Sequence, residues 1–244
     1  MRPADEELAD LRVLCEGVRD TFTAQWNAAL KDLRPSAQPS RDAFAETGDL
    51  LLLNYPAALH EPERTALLPP HTFLGSAVRE EPRDAQVEAW LDADEGSVEY
   101  VSLGSFLSAR SDVLALIADA LRRLDVRVAL ATGSAPVEEL GPLPQGWLVR
   151  EFLPQVRLLA ASSVAVTHGG NNSVTEALTA GVPLLVLPFS TDQFAGAAAI
   201  ERTGVGVCLD PNATTSGDIA DAVRHLLAPG GARSAAAAIG EGLR

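Results

Sequence analysis

From Gly96 to about residue 230, short apolar runs alternate with stretches of helical period, and that alternation admits few folds. Val98–Ser102, Val126–Ala131, Trp147–Glu151, Val164–Thr167, Leu184–Leu187 and Val205–Leu209 read as strands. Between them Asp112–Leu124, Gln155–Ala161, Asn171–Ala180, Thr191–Arg202 and Gly217–Leu227 read as helices. The strands are apolar on both faces, as parallel strands covered by helices on each side must be. The fold class expected is therefore α/β, a doubly wound parallel sheet.

The remainder of the chain is less regular. Leu8, Leu11, Leu14 (or Cys15), Val18 and Phe22 recur at helical spacing over residues 5–33, and the helix should stop at Arg34-Pro35. Leu50–Leu53, between Gly48 and Pro56, reads as a short buried strand. Prolines at 56, 62, 69, 70 and 82 mark residues 56–95 as a linker lying over the surface. The tail after Pro229 begins a further helix. Three parts result: 1–55, a remnant of a larger domain; 56–95, a linker; and 96–244, the doubly wound domain. With 244 residues, the chain has room for a domain and a half.

Composition removes several classes. A formal charge of -14 makes nucleic acid and anionic membrane poor partners. Cys15 and Cys208 are too few for a disulfide framework, and no Cys/His cluster exists for a structural metal. The amino terminus is charged from the start, unlike a signal peptide, and the longest apolar run, GVPLLVLPF, falls short of a membrane span. A cytoplasmic setting is expected. Lys31 is the sole lysine among abundant alanine, a bias of GC-rich genomes.

Open parallel sheets bind ligands beyond the carboxyl ends of their strands. Two glycine turns fall there. Ser102-Leu103-Gly104-Ser105 follows the first strand; Gly104 admits close backbone approach and Ser105 offers a hydroxyl. Thr167-His168-Gly169-Gly170-Asn171-Asn172-Ser173 runs a strand into a helix start, where unpaired amides can meet an anion. His168 adds a donor, and Asn172 and Ser173 add polar groups; the alternative is a helix capped by Asn171 with His168 as a bystander. One turn on, Glu176 would repel phosphate but can accept from vicinal hydroxyls, unless it is merely a solvated helix residue. Asp192 and Gln193 open another helix on the same edge, as sugar readers or as a favourable first-turn charge. Phe152, at a strand end, suits stacking on a flat heterocycle or a place in the core, with Gln155 close by. Base, ribose, diphosphate and hexose are thus all provided for.

Residues 152–193, FLPQ…THGGNNSVTEALTAGVPLLVLPFSTDQ, resemble the donor-sugar box of the family 1 glycosyltransferases of the GT-B fold, most closely bacterial natural-product members. Val98–Gly133 resembles the opening of their Rossmann-like carboxy-terminal domain. The resemblance implies base stacking on Phe152 with Gln155 beside it, and the diphosphate held by His168, Gly170, Asn172, Ser173 and Ser105. It further implies ribose on Glu176 and the transferred sugar on Asp192 and Gln193. It implies a UDP- or dTDP-sugar as donor substrate, no cofactor, no metal, and inversion at the sugar. The acceptor implied is a small apolar molecule such as a polyketide. Relatives often carry tryptophan where Phe152 stands. Their amino-terminal acceptor domain supplies the general base; here only its end is matched, and neither His60 nor His71 is promoted to that role. A hexosyltransferase, incomplete as it stands, is the function expected. The rivals are a non-catalytic nucleotide-sugar-binding or helper subunit and, less favoured by the Asp192-Gln193 pair, a nucleotide-sugar epimerase.

Overall fold

The computed structural model describes residues 5–104, 110–190 and 192–243. They fall into two compact units, one holding residues up to Leu51 with Pro69–His71, the other Leu52–Leu68 and Thr72 onward.

In the first unit, helix α1 (Asp5–Leu33) ends just before Pro35, as proline demands. The following segment folds back on it. Asn27 and Ser40 exchange bonds, the Asn27 amide donating to the Ser40 carbonyl (2.9 Å) and the Ser40 N–H to Asn27 Oδ1 (2.8 Å). Phe22 stacks on Phe44 with ring centroids 4.5 Å apart.

Strand β1 (Leu51–Leu53) exists where expected, but it is not buried. It forms a two-stranded sheet with β2 (His71–Phe73), and Leu50 and Leu52 are exposed. Leu51 and Leu53 are half-buried and Leu52 faces solvent, so the apolar run here lines a surface ribbon and not a core strand. The stretch expected to be a linker carries more structure than proline spacing foretells. It contains α2 (Pro62–Thr65), β2 and α3 (Ala85–Asp92), and it sends Leu59 and Val87 into the core of the second unit. Asp84 caps α3, accepting from the N–H groups of Gln86 and Val87.

The second unit is built on β3 (Val98–Ser102), α4 (Ser111–Leu121), β4 (Arg127–Ala131), β5 (Leu148–Arg150), α5 (Gln155–Leu159), β6 (Val164–Thr167), α6 (Asn171–Thr179), β7 (Leu184–Val186), α7 (Asp192–Thr203), β8 (Gly206–Cys208), α8 (Ser216–Leu227) and α9 (Gly231–Glu241). The strands form one six-stranded parallel sheet in the order β5-β4-β3-β6-β7-β8. Alternate residues supply two cores. Val101, Val128, Leu130, Val166 and Leu185 face α4 and α8, while Tyr100, Ala129, Ala165, Leu184 and Val186 pack with α5, α6, α7 and α9. No described helix is long and apolar enough to cross a membrane.

Candidate functional site

The strand order places the site. After β3 the chain moves outward through β4 and β5, then returns to lay β6 on the other side of β3, with Ser102 in register with Thr167. The connections leaving β3 and β6 diverge, and a crevice opens between them at the carboxyl edge. Both glycine turns predicted from sequence meet there; Ser105 lies outside the described residues.

The imidazole of His168 occupies the gap between the turns. A Cβ on Gly104 would lie 2.8 Å from His168 Cε1, and one on Gly170 only 2.5 Å from Nε2. These glycines therefore do more than bare their amides: any side chain at either would collide with the ring. Gly104 and Gly169 also adopt positive φ (76° and 87°), where an L side chain is strained. His168 is half-buried, with Nδ1 3.4 Å from Thr167 Oγ1. Burial lowers its pKa from the ordinary histidine value, against the pull of the nearby Asp192 carboxylate. The resting ring is thus neutral, with one N–H to donate.

Gly170, with extended backbone, starts α6 without a side-chain cap. The first bond of the helix runs from Val174 N–H to the Gly170 carbonyl at 3.0 Å, so the amides of residues 171–173 stand ahead of the ladder. Asn171 is not the cap; its Nδ2 donates to the Asn54 carbonyl at 3.0 Å. Asn172 is exposed and Ser173 half-buried at the mouth of this turn. The result is a cradle of amides, one imidazole and the positive end of a helix, without a lysine or arginine among its members.

Glu176 is not a solvated helix residue. It is 7% exposed. Its Oε2 accepts from Gln155 Nε2 at 2.5 Å and its Oε1 from Arg79 Nη1 at 2.7 Å. Gln155, expected beside the base, thus bonds directly to the expected ribose carboxylate. Phe152 is 67% exposed, which removes the core reading and leaves its ring face open. Sequence reasoning missed Arg79, which stands 97 positions from its partner in a stretch read as linker.

At the next strand end, Asp192 opens α7 as expected. Gln193 is buried, and its Oε1 accepts from the N–H groups of Phe189 and Ser190 (2.8 and 3.2 Å). Its side chain thereby ties the start of α7 back to residues 189 and 190. Asp192 borders a cleft of about 620 Å³ whose walls include Asn54, Tyr55, His60, Gly169 and Asn171. His60 Nδ1 lies 2.7 Å from Thr65 Oγ1, which accounts for its orientation there. Among the described residues no group of three or more His, Cys, Asp or Glu side chains is placed to hold a metal ion.

Comparison with known proteins follows the same lines. The family described as UDP-glucoronosyl and UDP-glucosyl transferase matches residues 14–230. The 4'-demethylrebeccamycin synthase of Lentzea aerocolonigenes is 33% identical over 213 residues, covering 81% of this chain and 50% of that one. The NDP-glycosyltransferase YjiC of Bacillus licheniformis is 27% identical over 222 residues, covering 90% and 55%. Among solved structures, the kitacinnamycin glycotransferase superposes with a TM-score of 0.75 at 23% identity, over 98% of this chain and 63% of that one. CalG4, the calicheamicin glycosyltransferase, gives 0.69 at 24%, over 88% and 54%. At such identities the structural likeness speaks for the fold, the Rossmann-like doubly wound sheet expected from sequence. The chain spans about half the length of the curated relatives it matches. It belongs to the UDP-glucoronosyl and UDP-glucosyl transferase family.

Proposed function

We propose that residues 96–244 are the donor-binding domain of a glycosyltransferase that moves a hexose from a nucleoside diphosphate sugar to a hydroxyl of a small apolar acceptor. The observation that carries this reading is the crevice between β3 and β6, where His168 and the leading amides of α6 converge. In this reading the base stacks on Phe152 and the ribose diol meets Glu176, which Gln155 orients. The diphosphate lies against Gly104, Ser105, His168, Gly169, Gly170, Asn172 and Ser173. Asp192 and Gln193 read the sugar. UDP or dTDP is the nucleotide, and transfer inverts the anomeric centre.

Displacement at the sugar leaves negative charge on the departing diphosphate. In this reading the helix terminus and the His168 N–H stabilise that charge, and such preorganised donors need no reorientation during the step. Nothing in this chemistry calls for a metal or a cofactor. Deprotonation of the acceptor falls to a residue outside those assigned here, in the acceptor domain the resemblance implies.

The groups assigned above are binding groups, and they also suit a second reading, a nucleotide-sugar-binding or helper subunit without transfer activity of its own. Calorimetry with UDP, UDP-glucose and dTDP-glucose, followed by assays of donor hydrolysis and transfer, tests both. Absence of binding by every nucleotide sinks both readings, and binding without turnover selects the second.

A further inference from the structure

We propose that Arg79 is a gate on the ribose carboxylate: in the empty protein it pairs with Glu176, and the vicinal diol of an incoming nucleotide displaces it. This rests on the reading of Glu176 as the ribose ligand. Both oxygens of Glu176 are occupied, one by Arg79 Nη1 and one by Gln155 Nε2, and the side chain is 7% exposed. Each oxygen keeps a second acceptor site, so an incoming diol meets a carboxylate it must share with these partners or win from one of them.

The surroundings decide which partner moves. Gln155 is buried at the start of α5, directly after Pro154, and has little freedom. The Arg79 side chain is 52% exposed and projects from the irregular segment between β2 and α3. Beyond Arg79 that segment is held. Glu81 Oε2 accepts from the Arg157 N–H at 3.1 Å, Arg157 grips Glu88 through two bonds of 2.8 Å, and Asp84 accepts from Arg150 Nη1 at 2.6 Å. The guanidinium can swing while the backbone stays. Glu81 Oε1, already 2.9 Å from Arg79 Nη2, retains it after release.

The arrangement answers a physical need. A carboxylate this buried is strongly disfavoured without a counter-charge or donors. Arg79 supplies them while the site is empty, and two ribose hydroxyls supply donors when it is filled. A nucleotide without the diol offers nothing in exchange and leaves the pair in place.

The test is calorimetry on the native protein and Arg79→Ala, with UDP and 2′,3′-dideoxyuridine diphosphate. Removing the competitor should tighten UDP binding about three- to fivefold, the upper scale of a half-exposed ion pair, and leave the dideoxy nucleotide within about twofold. The UDP gain should shrink as salt screens the native pair. Unchanged or weaker UDP binding by Arg79→Ala overturns the gate while leaving the donor-site reading intact, provided the native protein binds UDP. Equal tightening of both nucleotides also overturns it, because the effect would then not involve the diol. If neither protein binds UDP, the gate falls together with the donor site.

Discussion

His168 shows what one side chain contributes in an anion cradle that has no lysine or arginine among its members. Its resting ring is neutral because burial opposes the charge. A bound diphosphate favours the imidazolium, so binding takes up a proton. The affinity for UDP-glucose, whose diphosphate does not titrate near neutrality, should therefore rise as pH falls from about 8 to 6. His168→Ala should weaken that binding by about 1.5–3 kcal/mol and abolish the slope; a variant with native affinity would remove His168 from the site. Glu99 is the opposite case, a carboxyl outside the site. It is fully buried on β3, one oxygen accepting from Ser97 Oγ and the other without a partner among the described residues, and burial pushes its pKa up to about 7. A raised acid pKa means stability that is present below the unfolded value and lost as pH rises through about 7. Glu99→Gln, neutral throughout, should match the native protein in urea denaturation at pH 5 and exceed it at pH 9 by roughly 2–3 kcal/mol. The strand around Glu99 was legible as VEYVS; its carboxyl's burial was not, because periodicity reports which faces are covered and not what an exception costs.

Elements were legible almost to their ends in the parallel sheet, because each of its strands and helices buries a regular pattern. They were less legible where burial does not set the pattern. Leu50–Leu53 is as apolar as Leu184–Leu187, yet the first lies in an exposed ribbon and the second inside the sheet. Helix α9 carries a further case. Glycine within a helix normally destabilises it by about 0.5–1 kcal/mol relative to alanine. At Gly240, however, a Cβ would stand 2.4 Å from the Leu178 carbonyl of α6. Gly240→Ala should therefore destabilise the protein by about 1–3 kcal/mol despite the better helix former, as chemical denaturation can measure. An increase in stability would mean that α9 does not pack on α6 this closely. Helix α8 follows local rules instead. Thr215 and Asp218 form a reciprocal capping box, and Thr215→Ala should lower stability by about 1 kcal/mol.

At the scale of the molecule, a ligand that binds only the folded state must raise its stability. UDP at a hundred times its dissociation constant should add about 2.7 kcal/mol, and for a chain of this size that corresponds to a rise in Tm of several degrees. Uridine, which lacks the diphosphate, should give a much smaller shift at equal concentration; equal shifts would show that the α6 cradle is not engaged. By itself the sequence determined the alternation of strands and helices, the two glycine turns, and the residue types along one strand-end edge. Those follow from periodicity and local backbone preference, which act over a few residues. Tertiary structure decided the rest: the strand order that brings Gly104 against His168, the pairing of Gln155 with Glu176, and the placement of Arg79 on that same carboxylate. Such contacts join residues far apart in the chain, and what selects them is the packing of a whole sheet and the need to satisfy every buried charge, which no local pattern records.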